Sequence, residues 1–380
     1  MSQSVLVLGG YGNFGKRIVE NLCSIKNLTV FIAGRSISKA QACIDELQDE
    51  ATASLNVFIA DIYAEDFPDK LLDLSPDIVI HTSGPFQGQD YRVPEACIRA
   101  GSHYIDLADD RRFVCDIHNL NKLAQKQDVL VVSGASSVPG LSSAVINHYQ
   151  SKFSAIDSID IAIAPGNKAE RGEATLRGIL SYTGHPLKVF RRGRWAKVYG
   201  WMSPRSIDFS DSVGRRHLAN VDVPDLELFP SLFLVKSRVS FQAGLELVWL
   251  HYLMVFMAFL TKIKLVKNWS YFTRLIFQLS ERLKVFGSDS GAMRIIIRGE
   301  DQQSKSILCE WSLYAHNGIG PYIPTLSAII LARKLLQGAE LGRGAKSCCG
   351  LFTLDEFMIQ AKQLSIYAHE KVIHEGTNNG

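Results

Sequence analysis

This sequence lacks a clear excess of either positive or negative charge. Its 380 residues include 41 lysines and arginines against 38 aspartates and glutamates, a formal net charge of +3. Nucleic-acid-binding proteins usually have a strong basic excess, so we expect no nucleic-acid partner. Prolines number only 12, and hydrophobic residues make up 47 % of the chain. This composition excludes disordered, collagen-like and coiled-coil proteins.

Cysteine pairs and metal-binding motifs are lacking as well. The seven cysteines are an odd number, scattered from Cys23 to Cys349, and none forms a C-x-x-C pair. The chain has no H-E-x-x-H spacing and no G-x-S-x-G turn. We therefore expect no disulfide framework, no metal centre and no serine nucleophile, and a reducing, cytoplasmic location.

No apolar run reaches the length of about 20 residues that a membrane-spanning helix needs. The stretch that comes nearest, Leu247 to Leu260, has 14 uncharged residues, one of which is His251. Three interpretations are open for residues 247–260: a buried helix, a homodimer interface, or peripheral contact with a membrane surface. The N-terminal residues lack a basic region and are predicted to form a strand, not a signal peptide.

Apolar segments alternate with helix-length amphipathic segments through about the first 150 residues. This alternation is typical of βαβ units, and it predicts an α/β fold with a doubly wound parallel Rossmann sheet. The predicted strands are residues 4–8, 29–33, 56–60, 77–82, 103–107 and 129–133. The predicted helices are residues 14–24, 38–50, 93–100, 111–126 and 141–151.

A different pattern begins near Ser158 and predicts an inserted α+β second domain. Strands are expected at residues 158–164, 293–298 and 307–315, with the last two joined as a hairpin. Helices are expected at residues 324–336 and 354–369, and Thr353 and Glu356 would form a capping box for the second.

Three regions follow from this change of pattern. We expect a Rossmann dinucleotide-binding domain over residues 1–155 and an α+β substrate and dimerisation domain over residues 156–320. Helices within residues 321–380 are expected to pack back on the Rossmann domain.

The first predicted strand is followed directly by GGYGNFG. This segment contains G-x-G-x-x-G at Gly10, Gly12 and Gly15, between a strand and a helix, as dinucleotide-binding loops require. Gly10 would allow the tight turn, Gly12 the approach of the pyrophosphate, and Gly15 the packing of helix on strand. The helix N-terminus attracts phosphate, and Asn13 and Phe14 complete the predicted cofactor-binding loop.

The second strand ends in AGRS, at the point where NAD-binding proteins carry an acidic residue. Arg35 could pair with a 2′-phosphate, with Ser36 and Lys39 as further donors, so NADP(H) is favoured over NAD(H). The alternative is an exposed loop arginine without a selective role. Asp61, which closes the third strand, is predicted either to contact the adenine amino group or to cap the next turn.

The fourth strand is followed by Ser83, Gly84, Pro85 and Phe86. In open α/β sheets the carboxyl ends of the strands face the cofactor crevice, so these residues are predicted to lie near the pyrophosphate or the nicotinamide. A rigid turn explains Gly84-Pro85 equally well.

Together these motifs resemble those of the saccharopine dehydrogenase-like oxidoreductases, also called the saccharopine reductase family. The resemblance rests on GGYGNFG, AGRS, SGPFQGQ, EACIRAGSHYIDLADD and GASSVPG, and near the C-terminus on NGIGPYIPTLSAIILARKLL. It implies a Rossmann domain completed by C-terminal elements, with a substrate domain inserted between them. It also implies hydride transfer to or from an imine, or action on lipid ketone or enoyl groups as in the wider family.

Hydride transfer requires one proton-handling group near the cofactor. The family match places the Y-x-D end of the fifth strand close to the nicotinamide. Asp106 is therefore the first choice for handling the proton or orienting the substrate, with Tyr104 beside it; the alternative is a structural carboxylate that caps the following helix. In the second domain, Arg171 is predicted to clamp a carboxylate or phosphate unless it pairs with Glu173, and His316 to approach the substrate.

The sequence thus predicts an NADP(H)-dependent oxidoreductase that acts on a C=N or C=O bond of a small molecule, as a homodimer. One alternative is a lipid or polyketide-type keto or enoyl reductase at a membrane surface. It would reach its substrate through residues 247–260 and the basic run from Lys188 to Lys197. The other alternative is a non-catalytic NADP(H)-binding scaffold or sensor.

Overall fold

The computed structural model describes residues 3–209 and 213–374, which fold into two compact units. The first unit extends to Leu141 and resumes over Pro321–Phe352. The second unit comprises Ser142–Gly320 and continues from Thr353. The described chain therefore passes from one unit to the other three times.

Within the described residues, seven parallel strands form the sheet of the first unit. They are β1 (Gln3–Leu8), β2 (Leu28–Gly34), β3 (Ser54–Ile59), β4 (Ile78–His81), β5 (His103–Asp106), β6 (Leu130–Ser133) and β15 (Gly344–Ser347). Their order across the sheet is β15-β6-β5-β4-β1-β2-β3, and every neighbouring pair is parallel. The predicted doubly wound Rossmann sheet is confirmed. Its strand order reverses between β1 and β4, and ligands of such sheets bind at this reversal.

Helices cover both faces of this sheet, as the alternation of strands and helices requires. They are α1 (Asn13–Leu22), α2 (Ile37–Leu47), α3 (Phe67–Leu74), α4 (Arg92–Arg99), α5 (Arg111–Asp116), α6 (Asn121–Lys126) and α12 (Ile323–Leu336). Helix α12 packs on α1, where Arg333 Nε donates to Asn21 Oδ1 at 2.9 Å. The C-terminal helix at 324–336 therefore does return to the Rossmann sheet.

The helix predicted over residues 111–126 is broken by a 3-10 turn at Ile117–Leu120. Asn121 follows this turn, and its Oδ1 accepts a hydrogen bond from the backbone N–H of Ala345 at 3.0 Å. The break in the helix thus allows the Asn121 side chain to bind the backbone of β15. Neither β15 nor α3 is predicted by the sequence pattern.

In the described part of the second unit, nine strands form one mixed sheet. They are β7 (Ala155–Ala164), β8 (Pro186–Arg191), β9 (Arg194–Tyr199), β10 (Arg205–Asp208), β11 (Arg215–Asn220), β12 (Arg238–Leu245), β13 (Gly291–Glu300), β14 (Ser306–Ala315) and β16 (Tyr367–His374). The main order is β10-β11-β12-β7-β13-β14-β16, with β8 pairing to β12 and β9. The predicted hairpin is confirmed as β13–β14, which is antiparallel from Gly291–Ala315 to Glu300–Ser306.

Six helices accompany the described strands of this second sheet. They are α7 (Ser142–Gln150), α8 (Glu173–Tyr182), α9 (Asp225–Leu232), α10 (Val248–Lys262), α11 (Thr273–Arg282) and α13 (Leu354–Gln363). Helix α7 packs against β13, and α9 against β12. Isoleucines at alternate positions of β7 and β13 are buried: Ile159, Ile161, Ile295 and Ile297. This two-residue period produces the apolar face that the helices cover.

The C-terminal segment departs from the expected helix over 354–369. The capping box of Thr353 and Glu356 is present, yet α13 ends at Gln363 and the chain continues as β16. Pairing of β16 with β14 supplies the backbone hydrogen bonds that a longer helix would otherwise have made.

These contacts also place the unit boundaries differently from the expected limits of 1–155, 156–320 and 321–380. Residues 142–155 lie in the second unit because α7 packs on its sheet. The described residues from Thr353 onward lie there as well, because β16 is a strand of that sheet. Only residues 321–352 of the C-terminal region complete the first unit.

Candidate functional site

The glycine-rich loop joins β1 to α1 at the reversal of strand order. Gly9 has a φ of +78°, in the left-handed region that favours glycine. Its N–H donates to Ala33 O at 2.9 Å, and Gly12 N–H donates back to Gly9 O at 2.8 Å. The tight turn therefore lies at Gly9, not at Gly10 as expected. A Cβ on Gly10 would instead come within 2.9 Å of the Ile32 side chain.

Gly15 holds α1 against this turn. A Cβ on Gly15 would lie 2.1 Å from Gly9 O, closer than any side chain can approach a carbonyl oxygen. Gly12 is the N-cap of α1 and provides no side-chain cap, and the first turn carries no acidic residue. The backbone N–H groups at the start of the helix are thus available to an anionic group, with the helix dipole favouring negative charge.

Asn13 and Phe14, the two residues predicted to complete this loop, lie in the first turn of α1. Asn13 and Phe14 begin α1, so both contribute backbone N–H groups to its first turn. The side-chain oxygen of Asn13 accepts a hydrogen bond from Arg17 Nη1 at 2.6 Å. The Asn13 side chain therefore orients Arg17 and leaves the helix N-terminus to the backbone.

The turn after β2 contains the residues predicted to select the cofactor. Ser36 is the N-cap of α2: its Oγ accepts from Lys39 N at 3.4 Å and lies 3.1 Å from Ser38 Oγ. The side chains of Arg35 and Lys39 are exposed and make no hydrogen bond or ion pair with the described residues. Two unpaired cations thus flank a helix N-terminus at the end of β2.

Tyr11 is a residue of this site that the sequence reasoning missed. Its hydroxyl accepts a hydrogen bond from Ser36 N at 3.1 Å, and a Cβ on Gly34 would lie 2.4 Å from its ring. Tyr11 therefore connects the glycine loop to the turn that carries Arg35. The available signal was its position inside GGYGNFG, followed by a glycine at the end of the second strand.

Asp61 follows β3 and lies in the turn that leads towards α3. Its Oδ1 accepts a hydrogen bond from Tyr63 N at 3.1 Å, which caps the turn that leads towards α3. Its predicted contact with adenine has no further support in these contacts.

The loop after β4 lies against the glycine turn. The Thr82 hydroxyl donates to Leu8 O at 2.8 Å, and a Cβ on Gly9 would lie 2.9 Å from Ser83 Oγ. Gln89, another residue that the sequence reasoning missed, holds this loop by donating from Nε2 to Ser83 O and Pro85 O at 2.9 and 2.8 Å. Ser83, Gly84 and Pro85 therefore lie at the edge of the sheet where the glycine loop turns.

Phe86 has the contacts of a core residue. It is buried, with its ring 5.0 Å from the His81 ring and 5.3 Å from the Phe113 ring, measured between centroids. Of the four residues predicted in this loop, Phe86 is the one that packs into the core.

Asp106 ends β5 and is in lateral register with the start of the glycine loop. Parallel pairing places Leu8 beside His81, and His81 beside Asp106. Neighbouring strands are about 4.8 Å apart, so Asp106 lies about 10 Å from the end of β1. The carboxylate and the glycine turn therefore share one edge of the sheet.

Three donors hold one oxygen of this carboxylate. Oδ1 of Asp106 accepts hydrogen bonds from Ala108 N at 2.9 Å, Ser133 Oγ at 3.0 Å and Gly134 N at 2.8 Å. These bonds also connect the ends of β5 and β6. Burial raises the pKa of Asp106 to about 6 even though all three donors favour the charged form.

The neighbours of Asp106 are neutral near neutral pH. Tyr104 Oη lies 3.0 Å from His81 Nδ1, and both side chains are fully buried. Burial lowers the pKa of His81 to about 3 and raises the pKa of Tyr104 well above its ordinary value. Within this cluster, Asp106 is the group that titrates near neutral pH, the property that a proton-handling residue needs.

The alternative structural role predicted for Asp106 belongs to another residue. Asp110 is the N-cap of α5, and its Oδ1 accepts from Phe113 N at 2.8 Å. The capping function is thus met without Asp106. Gln87 Nε2 donates a part-buried hydrogen bond of 3.0 Å to Asp109 Oδ1, in the loop between Asp106 and Asp110.

In the second unit, Arg171 lies in the loop before α8. Its Nη2 donates to Asn167 O at 2.8 Å, whereas the sequence suggested Glu173 as its partner. Asn167 N in turn donates to Glu246 Oε2 at 2.7 Å, and Glu246 also pairs with Arg216 at 3.2 Å. Arg171 is half-buried, and burial lowers its pKa, while the charge of Glu281 acts in the opposite direction.

His316 lies at the same end of the second sheet as Arg171. Its Nδ1 is 2.8 Å from Ser290 Oγ. Gly166, in the loop of Arg171, packs so closely on Ser288 that a Cβ would lie 2.6 Å from Ser288 O. The loops that carry Arg171 and His316 therefore meet at one edge of this sheet.

The described residues contain no cluster of histidine, cysteine or carboxylate side chains that could hold a metal ion. All seven cysteines are free thiols. Among the helices that the structure describes, none is both long and apolar enough to cross a membrane.

The strand order, the glycine turn at its reversal and the free helix N-terminus together define a dinucleotide-binding protein of the Rossmann class. Residues 5–133 match the model of the family described as the saccharopine dehydrogenase NADP binding domain. Residues 5–133 thus resemble an NADP-binding domain of the saccharopine dehydrogenase type, and this match supports NADP(H) as the cofactor.

One solved structure extends the likeness in fold beyond the first domain. Histidine-tagged apo saccharopine dehydrogenase (L-Glu forming) from Saccharomyces cerevisiae is similar with a TM-score of 0.68 and 13 % identity, over 98 % of this chain and 100 % of that chain. A probable dehydrogenase from Thermotoga maritima has a TM-score of 0.45 and 9 % identity, over 98 % of both chains. No curated protein sequence matches this chain.

Proposed function

We propose that the protein transfers a hydride between NADP(H) and the carbon of a C=N or C=O bond in a small molecule. The observation that carries this proposal is Asp106, a buried carboxyl group of raised pKa at the same sheet edge as the glycine loop. The residues present fit the cofactor, since Gly15 leaves room for the turn and the N-terminus of α1 is uncapped. Bound NADPH would supply the hydride.

Asp106 would manage the proton in this reaction. In the direction of reduction, protonated Asp106 gives its proton to the substrate nitrogen or oxygen as the carbon receives the hydride. In the direction of oxidation, the carboxylate accepts that proton. With a pKa of about 6, both forms are populated near neutral pH. Tyr104 would orient the carboxyl group without changing its own charge.

Arg171 and His316 are the proposed substrate-binding residues of the second unit. Arg171 is suited to an anionic substrate group because its half-buried guanidinium donates to the backbone carbonyl of Asn167. His316 borders the same loops and would contact the substrate beside it.

The test is a screen for NADPH oxidation with a panel of imines, ketones and aldehydes, followed by mass spectrometry of the products. Deuterium from the transferred position of labelled NADPH should appear in the product at one atom per NADP⁺ formed. Tight NADPH binding without label transfer to any member of the panel would favour the scaffold or sensor alternative instead. Transfer confined to long-chain ketone or enoyl substrates would favour the lipid reductase.

NADP(H) preference over NAD(H) should depend on Arg35. Its guanidinium is exposed and unpaired at the end of β2, where the 2′-phosphate of NADP(H) would lie. We expect Arg35→Glu to reduce the ratio of NADPH to NADH affinity by about tenfold or more, because a charge-assisted hydrogen bond becomes a repulsion. Calorimetric titration with both nucleotides measures the ratio.

Lys122→Glu is the matched control for this substitution. Lys122 is also an exposed cation of the first unit, on α6, and lies outside the predicted cofactor loop. An unchanged NADPH to NADH ratio in Arg35→Glu, or an equal change in both variants, would remove Arg35 from cofactor selection.

The proposal also covers the location of the protein in the cell and its assembly. The seven free thiols support a reducing, cytoplasmic location. A homodimer is proposed without an assigned interface. A peripheral membrane contact is proposed for residues 247–260, and the exposed apolar side chains of α10 support it.

A further inference from the structure

Residues 248–286 contain helix α10, a 3-10 turn and helix α11, and we call this segment the apolar hairpin. The two helices are connected through Trp269, whose indole N–H donates to Met257 O at 2.9 Å. Helix α10 is held close to the rest of the second unit at Gly184, where a Cβ would lie 2.3 Å from Ala258 O. The hairpin is therefore a fixed part of this unit.

Helix α10 is apolar on both its faces. Its inner face is buried and comprises His251, Met254, Met257, Ala258 and Thr261. Its outer face is exposed and comprises Val248, Trp249, Tyr252, Leu253, Phe256 and Phe259. Trp249 is 53 % exposed and Phe256 is 55 % exposed. Helices that are apolar all round normally lie in a protein core or in lipid, so the outer face requires a partner.

Helix α11 also carries exposed apolar side chains. Leu275 is 57 % exposed and Leu279 is 48 % exposed, one helical turn apart on the same face. Tyr271 and Phe272, directly before α11, are exposed too. Both helices of the apolar hairpin therefore expose apolar side chains, and aromatic residues of the kind that favour membrane interfaces are among the exposed residues of the segment.

The apolar hairpin has a strong excess of positive charge. Residues 248–286 contain six basic side chains and one acidic side chain, Glu281, a formal charge of +5 against +3 for the whole chain. Three of the cations, Lys262, Lys264 and Lys267, are exposed in and after the last turn of α10. They alternate with the exposed apolar residues Ile263 and Leu265. This combination is the pattern of interfacial helices that bind anionic lipid.

A second copy of the chain fits this surface poorly. A twofold dimer places the same patch of both protomers face to face. It would bring two patches of formal charge +5 together, with only one carboxylate on each to compensate them. An anionic partner would neutralise the same cations. Charge complementarity therefore favours an anionic surface over a second copy of the chain.

We propose that the apolar hairpin docks on an anionic lipid surface, with the outer faces of α10 and α11 in the headgroup region and the lysines against the lipid phosphates. Neither helix crosses the bilayer. The docking does not depend on the proposed hydride transfer, and it goes beyond the sequence-based interpretation by adding α11 and the lysine cluster to residues 247–260.

The experiment is co-sedimentation of the full-length protein with phosphatidylcholine vesicles, with and without about one phosphatidylglycerol in three lipids. We expect binding to the anionic vesicles that weakens with added salt, and much weaker binding to phosphatidylcholine alone. The variant Lys262→Glu/Lys264→Glu/Lys267→Glu should lower the affinity on the order of 100-fold or more, since each basic residue contributes several-fold. Phe256→Ser/Leu279→Ser should also release the protein.

Matched controls separate the hairpin from general charge and folding. Lys122→Glu/Lys126→Glu/Lys362→Glu makes the same change of net charge at exposed positions of α6 and α13. Ile359→Ser removes an exposed apolar side chain of α13. Both controls should bind vesicles like the unmodified protein, and a thermal melt of every variant checks its fold independently of any turnover.

Two results would overturn the proposal. One is the absence of binding to anionic vesicles by a protein that the thermal melt shows to be folded. The other is a dimer in light scattering that Phe256→Ser/Leu279→Ser converts to a monomer without any effect on sedimentation, which would assign the hairpin to a second copy.

Discussion

Gly15→Ala is expected to weaken NADPH binding on the order of 100-fold. The new Cβ would lie 2.1 Å from Gly9 O, so either α1 or the glycine turn has to move. This movement takes the backbone N–H groups of the helix N-terminus away from the diphosphate. Loss of two charge-assisted hydrogen bonds, at about 1.5 kcal/mol or more each, accounts for the effect. Calorimetric titration with NADPH measures it.

Gly320→Ala is the control for this substitution. A Cβ on Gly320 would meet no heavy atom within 4 Å, and its φ is not in the left-handed region. It should therefore leave NADPH affinity unchanged. A thermal melt identifies any general loss of structure in Gly15→Ala. Wild-type affinity in a folded Gly15→Ala protein would show that the cofactor binds elsewhere.

Asp106→Asn is expected to reduce turnover by about 100-fold or more, as removal of a general acid or base usually does. The asparagine oxygen can still accept the hydrogen bonds from Ala108, Ser133 and Gly134, so the ends of β5 and β6 should remain connected. NADPH affinity should change little. The measurement is the rate of NADPH oxidation with whichever carbonyl or imine the substrate screen identifies.

The pH dependence of the rate provides a second readout for Asp106. The wild-type rate should show an inflection near pH 6, and Asp106→Asn should lack it. Ser133→Ala removes a donor that favours the carboxylate, so it should raise the pKa of Asp106 and move the inflection to higher pH. An inflection that stays in place in both variants would contradict a proton-handling role.

Stability should respond to pH in the direction set by the same carboxyl group. The pKa of Asp106 is raised in the folded protein, from an ordinary value of 3.8 to about 6. Its contribution to stability is therefore complete below pH 3.8 and is lost as the pH rises through about 6. The shift corresponds to about 3 kcal/mol. Denaturant unfolding of Asp106→Asn should lack this part of the pH dependence.

Elements with a strong apolar pattern were predictable from the sequence. The first six strands of the Rossmann sheet are apolar runs between helical segments, and they lie where the pattern indicates. β15 has the sequence GAKS, which carries no strand signal of its own, and it is a strand because it pairs with β6. Similarly, the capping box fixes the start of α13, while pairing with β14 decides that residues from Tyr367 are extended.

The sequence predicted which residues belong to the candidate site better than it predicted the contacts that those residues make. The motif GGYGNFG located the glycine loop, but the positive φ belongs to Gly9 and not to Gly10. Tyr11 and Gln89 hold loops that are distant in sequence, and no local pattern reports such contacts. Two of the three donors to Asp106 lie 27 and 28 residues further along the chain, so its raised pKa depends on tertiary structure that a motif cannot show.

The three passages of the chain between its units have a consequence for synthesis on the ribosome. The first sheet receives its edge strand only at Gly344–Ser347, and the second receives β16 only at Tyr367–His374. Neither sheet is complete until nearly the whole described chain has emerged. Nascent chains that end before residue 344 should thus expose unpaired strand edges in both units and depend on chaperones.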